Sequence, residues 1–296
     1  METLSSKFKD LIKQAVALSK LSPVVTEDNV YQQGAEDILP LLDTMVETLI
    51  LPGSGISGME YLVELWNKAV SGKSCLLLLE HYSNMDLPIF SYLLRKEPDH
   101  GKEIADALVA IAGMKLNEAN PSVAAFTSAY TRLVIYPSRS LQGLDAEKNR
   151  AEIIRSNAIN RAAMKALNEV KTTGKLVLVF PSGTRYRPWE PDSKKGVREI
   201  DSYIKSFDYM SLVAVNGELL HVRQGDMIDD FVSEDVVRFT AGPLLSCAEF
   251  RKETRTRAEA AGAEDKKQAT VDAIMERLET MHIAAEGERK KIMGSR

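Results

Sequence analysis

The feature that most constrains the fold of this chain is a series of short apolar runs that alternate with helical segments. The clearest runs, residues 76–79 and 176–180, have the length of buried strands and fall far short of the roughly 18–20 apolar residues of a membrane-spanning helix. Further strand candidates cover residues 107–113, 133–136, 212–215 and 236–240. This alternation predicts an α/β fold, with a mixed sheet flanked by helices.

Both ends of the chain have helical periodicity. Apolar positions recur at helical spacing over residues 4–20, 35–51 and 59–69, so we expect the first 70 residues to be helical, without a strand. The sequence therefore predicts a small N-terminal helical domain, residues 1–70, before an α/β domain, residues 71–296. The charged segment 249–291 also carries apolar residues at helical spacing, which predicts a helix that lies on the sheet.

Composition narrows the class of protein. With 44% hydrophobic and 27% charged residues, the chain is typical of a globular protein, and its net charge of −4 gives no global electrostatic reason to bind nucleic acid. Cys75 and Cys247 offer neither a disulfide framework nor metal-ligand spacing, so we expect two buried thiols in a reducing compartment. The N-terminal stretch contains lysines and lacks an uninterrupted apolar signal core, which favours an intracellular protein.

A histidine and an aspartate five positions apart supply the parts of a general base and its orienting group. The chain contains two such pairs, His81 with Asp86 and His221 with Asp226. His81 follows a run of four leucines and should lie at the carboxyl end of a buried strand, where open α/β sheets bind their ligands. Asp86 should begin the next helix and accept a hydrogen bond from the imidazole. The second pair leads into an acidic, loop-like stretch, so we choose the first as the catalytic pair.

Basic residues follow three of the predicted strands. Arg185 and Arg187 stand two positions apart after a Pro/Gly turn and would project to the same side of an extended segment. Guanidinium groups aimed together suit a phosphate or carboxylate. Taken alone, however, the two arginines are better explained as surface residues in ion pairs. Arg139 and Lys115 add cations at comparable strand ends, and the combination predicts an anion-binding cleft.

These segments together resemble the glycerolipid acyltransferase family. The resemblance rests on His81-x4-Asp86 and on the later segment Phe-Pro-Ser-Gly-Thr-Arg-Tyr-Arg-Pro at residues 180–188, with residues 112–115 and 134–139 matching the family between them. The Ser-Gly-x-Arg-x-Arg-Pro variant is similar to the soluble, plastid-type glycerol-3-phosphate acyltransferases, which also carry a helical N-terminal domain. The resemblance covers residues 73–220 most closely.

The resemblance implies transfer of a fatty acyl group from a thioester to the 1-hydroxyl of glycerol 3-phosphate, the first step of phospholipid synthesis. His81 would act as the base and Asp86 would orient it, while Arg139, Arg185, Arg187 and Lys115 would hold the substrate phosphate. No metal or resident cofactor is expected, and acyl-carrier protein or coenzyme A would deliver the acyl group. The expected location is the cytoplasm, in transient contact with a membrane surface, with the plastid stroma as the alternative.

Two departures from the family pattern bear on the site. The family often has asparagine immediately before the histidine, where this chain has Glu80, and it has a basic position where this chain has Ser140. Two other functions also remain open from the sequence. One keeps the chemistry but uses 1-acylglycerol 3-phosphate as the acceptor, and the other is a non-catalytic protein that binds acyl chains or phospholipids on the same fold.

Overall fold

The computed structural model describes residues 2–20, 22, 24–114, 116, 120–137, 140, 145, 148–225 and 227–294. Within these residues the chain forms eleven α-helices and a large mixed sheet, so the predicted fold class is confirmed. The helices are α1 (Leu4–Lys7), α2 (Lys9–Leu18), α3 (Leu39–Leu49), α4 (Met59–Val70), α5 (Asp86–Leu94), α6 (Gly101–Ala107), α7 (Pro121–Ser128), α8 (Arg150–Val170), α9 (Ile200–Ser206), α10 (Cys247–Ala260) and α11 (Lys266–Gly294). The strands are β1 (Tyr31–Gln32), β2 (Gly55–Ser57), β3 (Cys75–Leu79), β4 (Leu108–Gly113), β5 (Arg132–Ile135), β6 (Leu176–Val179), β7 (Tyr209–Asn216), β8 (Leu220–His221), β9 (Phe231–Val232), β10 (Arg238–Ala241) and β11 (Leu245–Ser246).

The main sheet has the order β1-β5-β4-β6-β3-β7-β10-β2, with β11 also paired to β7. Strands β5, β4, β6, β3 and β7 are parallel, whereas β1 and β10 are antiparallel to their neighbours β5 and β7. Helices cover both faces of the parallel part, so its strands are buried on both sides. This explains why β3 and β6 read as continuous apolar runs rather than as alternating patterns.

The N-terminal region contains two short strands that the sequence did not predict. Strand β1 pairs with β5 at one end of the sheet, and β2 pairs with β10 at the other end. The expectation of an N-terminal region without a strand is therefore wrong. Strands of two and three residues lie below the length at which hydrophobic alternation can be recognised in a sequence.

The hydrophobic core has two parts, one on each face of the sheet. Residues Leu42, Met45 and Leu49 of α3 pack in the same buried cluster as Leu77 and Leu79 of β3, so the N-terminal helices share a core with the sheet. The division into separate domains at residue 70 stays a prediction.

The opposite face of the sheet is covered mainly by α8 to α11. The predicted C-terminal helix over residues 249–291 is two helices, α10 and α11, which are separated by a turn at Gly262 with a positive φ of 72°. The helix α11 places Val271, Ile274 and Leu278 against the sheet. Cys75 and Cys247 are buried and free, as predicted.

Candidate active site

The two motif residues of the first His/Asp pair meet at the carboxyl end of β3. The strand ends at Leu79, and His81 follows it on the face that carries Leu77 and Leu79. Asp86 is the first residue of α5, where a carboxylate also interacts favourably with the helix dipole. The Nδ1 atom of His81 lies 2.9 Å from Oδ2 of Asp86, so the predicted hydrogen bond is present.

Backbone and side-chain donors of the intervening loop fix the carboxylate of Asp86. Its Oδ2 atom accepts from the backbone N–H groups of Tyr82 at 2.6 Å and Ser83 at 2.9 Å, and its Oδ1 atom accepts from the Ser83 hydroxyl at 3.0 Å. The residue is buried, with 3% of its surface exposed. A carboxylate held by these donors stays in one position, and its bond to Nδ1 assigns the proton of a neutral imidazole to that nitrogen. The Nε2 atom is then the basic nitrogen.

A second loop, after β6, packs directly against His81. The Phe180 ring stacks on the imidazole with centroids 3.9 Å apart and an interplanar angle of 17°. The backbone N–H of Tyr186 donates to the carbonyl of His81 at 2.8 Å. Gly183 has a φ of +65°, and a Cβ there would come within 3.2 Å of Val197, so the turn requires glycine. The two sequence motifs, about a hundred residues apart, thus form one site.

His81 lines a cavity of about 480 Å³ whose walls are mainly apolar. On the face of the sheet that α5 and α7 cover, the walls include Met85, Leu87, Pro88 and Phe126. The cavity extends to the other face of the sheet, where residues of α8 and α9 line it. Such a cavity beside a positioned imidazole can bind an aliphatic chain and keep water from the reacting atoms.

The two predicted phosphate-binding arginines have different partners. Nη1 of Arg185 donates to Oδ2 of Asp230 at 2.5 Å, and Asp230 is fully buried. Nη1 of Arg187 donates to Oε2 of Glu190 at 2.7 Å, and its Nη2 donates to Thr184 Oγ1 at 3.2 Å. The ion pairs anticipated by the alternative explanation are therefore present, although that of Arg185 is largely buried rather than on the surface. The phosphate role of both arginines stays a prediction.

Arg139 and Lys115, the other two predicted phosphate ligands, lie outside the described residues. Asp226, the acid of the second His/Asp pair, lies outside them as well. The Nε2 atom of His221 is 2.6 Å from the Ser233 hydroxyl, and its Nδ1 atom is 3.6 Å from Glu218. These contacts engage both ring nitrogens of His221.

Glu80, which departs from the family pattern, has its contacts on the face opposite to His81. Successive strand residues point to opposite faces, so Glu80 faces α11. Its Oε2 atom accepts from the backbone N–H of Val215 at 2.9 Å and lies 3.1 Å from Nδ1 of His282. The Tyr82 hydroxyl is 3.2 Å from the same His282 nitrogen. Burial alone would lower the pKa of His282, but the hydrogen bond and charge of Glu80 outweigh it and raise that pKa.

Comparison with known proteins identifies the family. The chain matches the acyltransferase family model over residues 56–225, which is more than half of its length and includes both loops of the site. The chain belongs to this acyltransferase family. A search of curated proteins found none that matches.

None of the helices in the described part of the chain has both the length and the hydropathy needed to cross a bilayer. Ser83 and Asp230, the partners of Asp86 and Arg185, were not predicted as site residues. The contact of Ser83 depends on the conformation of the loop before α5, and Asp230 is 45 positions from Arg185 in the chain. Neither can be recognised from a single sequence.

Proposed function

We propose that this acyltransferase is a glycerol-3-phosphate 1-O-acyltransferase. It transfers a fatty acyl group from the thioester of acyl-carrier protein or coenzyme A to glycerol 3-phosphate, and it releases 1-acylglycerol 3-phosphate and the free thiol. The observation that carries the proposal is the His81–Asp86 hydrogen bond beside an apolar cavity in a member of this family. The motif at residues 180–188 supports the choice of glycerol 3-phosphate.

The chemistry follows from the orientation of the imidazole. Nε2 of His81 removes the proton of the acceptor hydroxyl while the oxygen attacks the thioester carbonyl, and Asp86 stabilises the imidazolium that forms. Collapse of the tetrahedral intermediate expels the thiolate, which takes the proton from the imidazolium. The acyl group passes directly to the acceptor, so no acyl-enzyme is needed.

The phosphate of the acceptor is proposed to bind Arg185 and Arg187, together with Arg139 and Lys115. Charge-assisted pairs contribute about 1.5–3 kcal/mol each, so loss of one arginine should raise KM for glycerol 3-phosphate by about tens-fold. Because the product is a lipid, we also propose that the enzyme works in the cytoplasm in transient contact with a membrane surface.

The proposal is tested by assaying wild type and His81→Ala with both acceptors and both acyl donors. We expect wild type to acylate glycerol 3-phosphate in preference to 1-acylglycerol 3-phosphate, and His81→Ala to lose acyl transfer. The matched control is His221→Ala, which should keep the chemical step. Activity of His81→Ala near wild type would remove His81 as the base. Preference for 1-acylglycerol 3-phosphate would change the acceptor, and tight acyl binding without turnover would favour a binding protein.

A further inference from the structure

Arg132 is a buried cation in the parallel part of the sheet. It is the first residue of β5, it is only 2% exposed, and it is among the largest fully buried side chains of the protein. Its Nε donates to Oε1 of Gln32 at 2.8 Å, which fixes the plane of the guanidinium. Its register partner Ala110 belongs to the core on the His81 face, so Arg132 points to that face as well.

The terminal nitrogens of Arg132 are unsatisfied. Neither Nη1 nor Nη2 has a hydrogen-bond partner among the described residues, and no carboxylate there interacts with the guanidinium. Burial lowers the pKa of Arg132 to about 10, so the side chain remains protonated at neutral pH. The hydroxyl of Tyr130, two residues earlier, is also buried and has no hydrogen-bond partner within the described part of the chain. A buried charge and a buried hydroxyl without acceptors are costly to the folded protein.

Arg132 and Tyr130 line the same apolar cavity as His81. The register of the parallel strands places Arg132 level with Leu77, and β5 is three strands away from β3. Leu77 precedes His81 by four residues. With strands about 4.8 Å apart and a rise of about 3.3 Å per residue, the Cα atoms of Arg132 and His81 are about 20 Å apart. The cavity therefore has a basic imidazole in one region and the side chain of Arg132, whose terminal nitrogens are buried beside it, in another, with apolar walls between them.

We propose that the Arg132 region of the cavity binds the carboxylate of an aliphatic chain. A carboxylate has two oxygens in the geometry that Nη1 and Nη2 can bind in bidentate fashion. The apolar walls bind the chain, and the distance to His81 is comparable with the length of a long acyl group. The carboxylate has two sources, a free fatty acid or the far end of an acyl donor that carries a second carboxyl group.

Calorimetric titration with dodecanoate and with dodecanol tests the site directly, because the two ligands share a chain and differ in charge. We expect wild type to bind dodecanoate at least about tenfold more tightly than dodecanol, as a charge-assisted pair predicts. In Arg132→Met this preference should disappear while dodecanol still binds. Equal affinities in wild type, no binding of either ligand, or a preference that survives in Arg132→Met would each overturn the proposal.

Thermal unfolding provides an independent readout and a matched control. Arg132→Met removes an unpaired buried charge, so we expect its unfolding temperature without ligand to equal or exceed that of wild type. Arg251→Met removes an arginine that donates to both oxygens of Asp201, and it should lower the unfolding temperature but keep the preference for dodecanoate. Should Arg132→Met fail to fold, Arg132→Lys keeps the charge without the bidentate fork and should show a reduced preference. An unchanged preference in Arg132→Lys and in Arg132→Gln would also overturn the proposal.

Acyl-transfer assays then identify the source of the carboxylate, and this arm alone rests on the proposed function. A preference for the thioester of dodecanedioate over that of dodecanoate, lost in Arg132→Met, assigns the carboxylate to the donor. Competition by free dodecanoate in wild type but not in Arg132→Met assigns it to a fatty acid. Absence of acyl transfer would contradict the proposed function and leave the binding result standing.

Discussion

At the scale of single residues, the orientation of His81 depends on Asp86. In Asp86→Asn the amide can still accept from the loop N–H groups, but the charge that selects the Nδ1–H tautomer and stabilises the imidazolium is lost. We expect kcat to fall by about 10²–10⁴ with little change in KM for glycerol 3-phosphate. Steady-state kinetics on folded protein, checked by circular dichroism, measure this. A kcat within about threefold of wild type would show that Asp86 does not assist the base.

Arg185 and Arg187 should differ in their contribution to stability, although both are proposed to bind phosphate. Arg185→Met removes the ion-pair partner of the buried Asp230 carboxylate, which keeps the hydrogen bond from the backbone N–H of Arg223, and breaking such a buried pair costs about 3–5 kcal/mol. The pair of Arg187 with Glu190 is largely exposed, so Arg187→Met should cost less than about 1 kcal/mol. Urea unfolding measures both free energies. As a control, the double variant Arg185→Met with Asp230→Asn should recover part of the loss, and equal losses in the two single variants would contradict the prediction.

At the scale of elements, α11 is held to the sheet through His282 and Glu80. Because the pKa of His282 is raised in the folded protein, its charged form stabilises the fold below the ordinary pKa of about 6.5. That stability is lost as the pH rises through the raised pKa. Tyr82, Lys194 and Glu279 also face this ring. We therefore expect the free energy of unfolding to fall more steeply as the pH rises above about 6.5 in wild type than in His282→Gln.

The exposed His100, which is 3.9 Å from Glu103, provides the control for this measurement. His100→Gln should leave the pH dependence of unfolding as it is in wild type. An identical slope in wild type and His282→Gln would show that the contact with Glu80 does not contribute to stability.

Elements with strong periodicity were predictable, and so was one contact between neighbouring elements, but the contacts between elements far apart in the chain were not. Strand β3 contains the four leucines and α5 begins at Asp86, as predicted. Because both boundaries were predicted, the His81–Asp86 contact could be predicted as well. The predicted strand at residues 133–136 begins one residue after the observed start of β5 at Arg132, since a charged side chain does not belong to an apolar run. The partners of Arg185 and Glu80, namely Asp230 and His282, come from elements far along the chain, and spacing alone cannot identify them.

At the scale of the whole molecule, the N-terminal region and the sheet share a core. Leu42, Met45 and Leu49 are fully or almost fully buried in the cluster that contains Leu77 and Leu79. A fragment of residues 71–296 would expose this surface, so we expect it to lack a cooperative thermal transition and near-UV circular dichroism. Adding residues 1–70 as a separate chain should restore the transition if the two parts associate. A cooperative transition in the fragment alone would support two independent domains.

Strands β1 and β2 also bear on aggregation during synthesis of the protein. They occupy the two ends of the strand order, so both segments that close the sheet leave the ribosome before the strands with which they pair. Open strand edges are templates for pairing between molecules, and very short outer strands reduce this hazard. The order of synthesis thus supplies the protecting segments before β5 and β10 exist, which should keep the newly made protein from aggregating.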